Sequence, residues 1–347
     1  MKRVIVHGGL GLFGRTIISE LTKLGIPASA ASRSRSATIQ CDAESPASLR
    51  KTLQRGDLIL DAAGPFHLRS MALIEAAIET GCDVIDINDN LLYAQQVVAL
   101  EPRINAANIC VVTSASTVSA VAAAIIRHSG IKSPTGVTAY LAPATRHTAN
   151  SGAALSLLRT VGQPITIWRD GRLQSATGWT EPRSFSMPPP VGPIHARLYE
   201  SADAIHLPRA WPSLRDVTMY VDTNTTGVNT VLSLAAHSPT IRRTLEKSIR
   251  LAARPARWLG AKSGGVGYEI QDGSGQMRSV AVIGGEQSFL VAIAPALLAT
   301  QKIYEGMFEF CGIVPISHIV EPPSLIAFLA SSSIDIVESH HNPNVHT

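Results

Sequence analysis

Charge is scarce in this 347-residue chain, with 16% of positions occupied by Asp, Glu, Lys or Arg and a formal net charge of +4. No run of Lys or Arg is longer than two, so nothing marks a nucleic-acid surface, and an anionic cofactor or substrate suffices to explain the mild positive balance. Cysteine is sparse too: Cys41, Cys82, Cys110 and Cys311 show neither C-x-x-C spacing nor a disulfide framework and read as small buried hydrophobes. No stretch approaches the roughly twenty apolar residues of a membrane span. The opening run Val4-Ile5-Val6 is too short for a signal peptide. These absences lead to the expectation of a soluble, cytoplasmic protein. The G-x-S-x-G, H-E-x-x-H and P-loop patterns are missing, which removes serine hydrolases, zinc proteases and nucleoside triphosphatases. There is no internal repeat. Hydrophobic residues make up 45% of the chain, ample for a large core and two domains.

The stretch Lys2 to Gly14, KRVIVHGGLGLFG, is a β-branched strand that runs into a glycine cluster. Gly9, Gly11 and Gly14 satisfy the G-x-G-x-x-G spacing of a dinucleotide-binding turn. The first allows the tight turn, the second lets backbone approach the pyrophosphate, and the third lets the next helix pack on the strand. Gly8, Leu12 and Phe13 complete the candidate phosphate cradle. A helix expected over Arg15 to Leu24 would point its free N–H groups and dipole at the phosphates.

A second strand is expected over Ile26 to Ala31. At its end stand Ser32, Arg33, Ser34 and Arg35, with no acidic residue between Glu20 and Asp42. An acidic residue there would suit the ribose hydroxyl of NAD; two guanidiniums and two hydroxyls suit the 2′-phosphate of NADP. NADP is therefore the expected cofactor, with NAD less favoured. Asp42 either bonds the adenine amine or caps the helix that begins near Pro46. The apolar strand from Asp57 ends in Ala63-Gly64-Pro65-Phe66, placed beside the nicotinamide half of the cleft, and the strand Cys82 to Ile87 ends in Asp86-Ile-Asn88-Asp89-Asn90, a cluster suited to substrate or to Asx turns. One helix is expected over Leu91 to Ala107, then a sixth strand over Ile109 to Thr113. Six alternations of strand and helix are the pattern of a doubly wound parallel sheet.

The segments Gly8 to Gly14, Asp61-Ala-Ala-Gly64-Pro65-Phe66 and Gly81-Cys82-Asp83-Val84-Ile85-Asp86 resemble, in content and order, the N-terminal domain of the saccharopine dehydrogenase family. The resemblance is close over about the first third. It implies an NADP-dependent oxidoreductase, with hydride transfer at a carbon–nitrogen bond between an amine and a keto or aldehyde acid. It leaves room for enoyl- or carbonyl-reducing relatives, and fold alone leaves room for a non-catalytic NADP(H) sensor. Where that family has a Pro-Gly loop after the sixth strand, this chain has Ser114-Ala-Ser116-Thr117-Val118-Ser119.

The expected organisation is a Rossmann domain over 1–117, a mixed α/β second domain over 118–293 with a largely antiparallel sheet, C-terminal helices over 294–335 that brace the first domain, and a disordered tail over 336–347. In the second domain Asp170-Gly171 signals a tight hairpin, whereas Pro182 to Pro193 reads as irregular. The best catalytic cluster is Arg146, His147 and Asn150: Arg146 to clamp a substrate carboxylate, His147 to exchange a proton. Capping of the helix from Ala153 is the alternative role for these residues. Tyr140, Arg183, His195 and His206 are lesser candidates. No metal is expected, and His340-His341 reads as a polar tail. The partners implied are a carboxylate-bearing small molecule and, from the low charge of the second domain, a second copy of the chain in a homodimer.

Overall fold

The protein is described by a computed structural model that covers residues 2–149, 151–308 and 310–341, with the side chains at 151, 248–257 and 339–341 left aside. The chain divides into two units, Met1–Val121 with Val291–Leu325, and Ala122–Leu290 with Ile326–Thr347. Boundaries expected at 117 and 293 thus fall at 121 and 290, and the segment expected to brace the first domain contributes to it as far as Leu325.

In the first unit the chain runs β1 (Val4–His7), α1 (Leu12–Lys23), β2 (Ala28–Ser32), β3 (Ile39–Gln40), α2 (Pro46–Thr52), β4 (Leu58–Asp61), α3 (Ala72–Thr80), β5 (Asp83–Asp86), α4 (Leu91–Ala99), α5 (Glu101–Ala107) and β6 (Cys110–Val112). Every residue of β1 and β4 is buried, as parallel strands covered on both faces require. Helix α1 buries Gly14, Ile17 and Leu21, one stripe at helical spacing. The helix expected over Leu91 to Ala107 is two, because Pro102 has no N–H to bond Val98 and its ring obstructs that carbonyl. Leu100 ends α4 and begins α5.

The second unit follows with α6 (Ala120–His128), which straddles the division, then β7 (Pro134–Ala142), α7 (Thr145–Thr148), α8 (Ser151–Thr160), β8 (Pro164–Arg169), β9 (Arg172–Thr177), β10 (Pro182–Ser186), β11 (Pro193–Tyr199), α9 (Asp203–Ala210), β12 (Asp216–Val221), α10 (Val228–His237), α11 (Pro239–Leu259), β13 (Gly264–Asp272) and β14 (Met277–Gly284). The chain closes with α12 (Ala294–Tyr304), β15 (Gly312–Ile313), α13 (Pro322–Ser331) and β16 (Ile334–His341).

The first sheet has the order β15-β6-β5-β4-β1-β2-β3, and each pairing in it is parallel. This is the doubly wound arrangement, with its reversal of strand order between β1 and β4. Helix α12 packs against α1, β4 and β5. The second sheet runs β10-β11-β12-β7-β13-β14-β16, with the β8–β9 hairpin joined to β12. Only β12 and β7 pair in parallel there. Asp170 and Gly171 turn the hairpin with φ of 53° and 75°, the two left-handed residues of a type I′ turn.

Two expectations are corrected. The proline-rich stretch is not irregular throughout, because Pro182–Ser186 forms β10 at the sheet's edge, where a missing N–H costs no ladder bond. The tail is ordered as far as His341: β16 pairs with the whole of β14, from Ile334 opposite Gly284 to His341 opposite Met277. Its buried anchor is Ile334, and its polar outer residues are what an edge strand carries. Residues 342–347 and the side chains of His340 and His341 lie outside the described residues.

Candidate functional site

The cradle is built where β1 gives way to α1. Gly8 takes a left-handed backbone, φ +72°, and a Cβ there would stand 2.6 Å from the Ala62 carbonyl oxygen. The left-handed turn is thus at Gly8 and not at Gly9, which instead lies against Ala30 of β2, 2.7 Å from where its Cβ would be. A Cβ on Gly14 would stand 2.2 Å from the Gly8 oxygen, so only glycine lets α1 close on the turn. Gly11 differs: apart from the Gly8 oxygen at 3.1 Å nothing lies near its absent side chain. It caps α1 with extended backbone and no side-chain bond. The first-turn N–H groups therefore lack intrahelical partners and open beside an uncovered stretch of backbone, and an anion fits there. The helix begins at Leu12, three residues ahead of the expected Arg15, which places Leu12 and Phe13 in that first turn.

At the end of β2 the Ser34 hydroxyl holds the loop, hydrogen-bonded to Ser36 Oγ at 2.8 Å and accepting the Ser36 N–H at 3.2 Å. Arg33 and Arg35 are exposed, and among the described residues neither has an acidic partner. Two uncommitted guanidiniums beside two serines suit a phosphate monoester. Asp42 does not cap α2; its Oδ1 accepts the Glu44 N–H at 3.0 Å, and the cap is Ser45, whose side chain accepts from Ser48.

Beneath the carboxyl ends of β1, β4 and β5 lies a buried polar floor that the sequence reading did not assemble. Asp61 and Arg69 form an ion pair, Nη2 to Oδ2 at 3.0 Å, and Arg69 also donates to the Ala63 carbonyl at 2.7 Å and to Glu44. Ala63 N–H returns to Asp61 Oδ1 at 3.0 Å. The Ala63-Gly64-Pro65-Phe66 turn is thereby tied to the floor. Burial opposes the Arg69 charge, but Asp61 and Glu44 outweigh it and raise its pKa. Phe66 packs edge-on against Tyr93 with centroids 5.1 Å apart, whereas Gly64 has nothing within 3.9 Å of its absent Cβ.

Asp86 is fully buried, and burial pushes its carboxyl up to about 6 against the N–H bonds from Ser114 and Asn88. Burial likewise raises Tyr93 well above its usual value and holds His7 below the usual imidazole range. Asp86 Oδ2, Tyr93 Oη and His7 Nε2 have no hydrogen-bond partner among the described residues. The run Asp86 to Asn90 is a ladder of Asx turns: Asp86 accepts from Asn88 N–H at 3.0 Å, Asn88 from Asn90 at 2.8 Å, and Asn90 caps α4 through the Tyr93 N–H. The signals for this floor were Asp61 and Asp86, the acidic residues that follow the apolar runs Leu58 to Leu60 and Val84 to Ile85.

In the second unit Arg146 and His147 sit on the single turn α7. Arg146 is exposed and donates through Nη2 to the Trp258 carbonyl at 3.2 Å, at the end of α11. His147 is half-buried, and its Nε2 is enclosed with no hydrogen-bond partner among the described residues. Asn150 lies outside the described residues. Two lesser candidates come together: the Tyr140 hydroxyl donates to Glu269 at 2.6 Å, and the Arg183 guanidinium stands 5.2 Å from the Tyr220 ring, itself stacked beside Tyr140 at 5.8 Å. His195 Nδ1 meets Ser184 Oγ at 2.9 Å, but Asp222 accepts from the His195 backbone N–H and not from its ring, so no catalytic triad results. His206 is buried in α9, and burial followed by the nearby Arg209 pushes its imidazole down to about 4, a neutral core histidine.

Residues 9–112 match the family model of the saccharopine dehydrogenase NADP binding domain, a span that holds Gly9 to Gly14 of the cradle, the serine–arginine loop and Asp61, Arg69, Asp86 and Tyr93 of the floor. The first unit is thus similar to the NADP binding domain of saccharopine dehydrogenase. The likeness in fold extends further: saccharopine dehydrogenase (L-Glu forming) from Saccharomyces cerevisiae is 12% identical, with a TM-score of 0.63 over 98% of this chain and 100% of its own. The WlbA dehydrogenase from Thermus thermophilus, solved with NAD and α-ketoglutarate, is 13% identical over 94% of each chain with a TM-score of 0.41. UDP-N-acetylglucosamine 3-dehydrogenase from Acidithiobacillus ferrooxidans is 13% identical over 95% of each chain, with a TM-score of 0.38. No curated protein matches this sequence. The chain thus shares the fold of a saccharopine dehydrogenase along its length, and residues 9–112 resemble that family's NADP binding domain.

Proposed function

We propose that the protein is an NADP-dependent oxidoreductase that transfers hydride at a carbon–nitrogen bond joining an amine to a keto or aldehyde acid. The observation that carries the cofactor half is the pair Arg33 and Arg35, exposed and, among the described residues, without acidic partners at the end of β2, where the 2′-phosphate separates NADP from NAD. The reaction class rests on the family match and on the length-for-length fold likeness to an enzyme named as L-Glu forming.

In this reading the N–H groups at Gly11 to Phe13 hold the pyrophosphate, Ser32 to Arg35 hold the 2′-phosphate, and the Ala63 to Phe66 turn, held rigid by Arg69, lies against the nicotinamide. The cofactor supplies the hydride at its nicotinamide ring. Arg146 clamps the substrate carboxylate with the guanidinium N–H groups not given to Trp258. His147 exchanges the proton, which its partnerless Nε2 supports. A homodimer through the second unit belongs to the same proposal, and sedimentation as a monomer at micromolar concentration contradicts it.

The test is NADPH consumption by the purified protein with amines and keto acids, singly and in pairs. Turnover that needs both members of a pair supports reduction at carbon–nitrogen. Turnover with a keto acid or an enoyl compound alone moves the assignment to carbonyl or carbon–carbon reduction, and tight NADPH binding with no turnover points to a sensor.

A further inference from the structure

The helix α11 is chemically unlike the rest of the chain. Its 21 residues carry Arg242, Arg243, Lys247, Arg250, Arg254 and Arg257 against a single acid, Glu246. That helix is net +5 within a chain of net +4, so it holds all of the protein's excess positive charge and the remainder is close to neutral. In the sequence the basic positions 243, 247, 250 and 254 recur at the four-three-four spacing of a helical stripe. Of these, Arg243 and Lys247 are exposed.

Apolar side chains concentrate in the same place. Among the described residues twelve large hydrophobics are exposed, and five of them, Val231, Leu234, Ile241, Trp258 and Leu259, lie on α10 and α11. Trp258 is the extreme case at 84% exposed. The two helices pack together, and the Ala261 N–H donates to the Asn224 oxygen at 3.1 Å, which brings the end of α11 beside the start of α10. Helices α7 and α8 also pack on α11, and Trp258 stays exposed beside them.

We propose that α11, with Trp258 at its end and the apolar residues of α10 beside it, is a peripheral docking surface for an anionic lipid bilayer. A basic helix flanked by exposed Trp, Leu and Val fits such a surface on two counts: headgroup charge attracts the arginines, and an indole settles at the headgroup boundary. A second copy is disfavoured because a two-fold contact would bring two basic stripes together. Nucleic acid offers the charge but nothing for the aliphatic side chains, since its interfaces are polar. None of the residues involved belongs to the cofactor cradle, and the link to the proposed substrate site, Arg146 to Trp258, is through the Trp258 backbone carbonyl, which Trp258→Ser retains.

The experiment is co-sedimentation of the full-length protein with phosphatidylcholine vesicles, with and without phosphatidylserine, at low and physiological salt. The expected result is binding to the anionic vesicles alone, weakened by salt, reduced more than about tenfold by Arg243→Glu with Lys247→Glu and several-fold by Trp258→Ser. Thermal melts matching the natural chain verify that both variants fold. Equal binding to neutral vesicles, no binding to anionic ones, or binding that survives both variants overturns the proposal. So does a dimer that Trp258→Ser dissolves, or retention on RNA with no affinity for vesicles.

Discussion

Ser119 places a side chain where the backbone favours glycine. In the loop after β6, Ser114 and Ser119 adopt left-handed backbone, φ 56° and 73°, a conformation that costs a side-chain-bearing residue about 1 kcal/mol or more. Ser114 is recompensed by its ties to Asp86 and Asn88, with N–H to Oδ1 at 2.8 Å and Oγ receiving Asn88 Nδ2 at 3.3 Å. Ser119 is buried, and its hydroxyl has no partner among the described residues. Ser119→Gly therefore relieves both backbone strain and an unmet hydroxyl, and should raise stability by about 1 kcal/mol in urea denaturation, whereas Ser114→Gly should not. A fall in stability for Ser119→Gly would contradict the account.

Asp86 carries a pH dependence of definite sign. Its carboxyl titrates near 6 in the folded chain and near the ordinary ~3.9 when unfolded. The folded state thus binds this proton more tightly. Its contribution is most favourable below pH ~4 and is lost as pH rises to about 6, by about 3 kcal/mol. Asp86→Asn keeps an oxygen for the Ser114 and Asn88 N–H groups and carries no charge. The variant should therefore gain on the natural chain in denaturant midpoint between pH 4 and 7, and a difference independent of pH would refute this. At this scale the glycine spacing and the Arg33 and Arg35 loop were legible because each is a local pattern. The floor was not, because Asp61, Arg69, Asp86 and Tyr93 meet only through packing.

Among the elements, β13 illustrates a strand shaped by its neighbours. A Cβ on Gly267 would stand 2.2 Å from the Phe185 ring, which is stacked on Tyr140 with centroids 4.7 Å apart. Gly267→Ala forces that ring to move and should cost about 1–3 kcal/mol. Combining it with Phe185→Leu should recover more than about 0.5 kcal/mol beyond additivity, as read from thermal melts of the four proteins in the cycle. Strict additivity would mean the two residues do not compete for space. The strands of the first sheet could be read one by one because burial on both faces leaves continuous apolar runs. Edge strands such as β10 and β16 resisted that reading, since proline and polar residues are tolerated where one side of the ladder is open. The break between α4 and α5 was available in Pro102 and was overridden by the long apolar periodicity around it.

On the scale of the whole molecule, the doubly wound first sheet and the mixed second sheet follow from the alternation of element types along the chain, and the likeness of fold to a saccharopine dehydrogenase spans both units. The substrate half of the chemistry was less legible. Arg146 and His147 stand out by residue type, but what they touch depends on α11 and on the strands around them, which lie far along the chain. NADP is the ligand proposed for the cradle and the serine–arginine loop. The most direct measurement is a fluorescence titration with NADPH and NADH of the natural chain and of Arg33→Ala with Arg35→Ala. NADPH should bind at least about tenfold more tightly than NADH, and the double substitution should remove the difference, as expected for the loss of charge-assisted bonds to one phosphate. Equal affinities in the natural chain, or a preference that survives the substitutions, would contradict it.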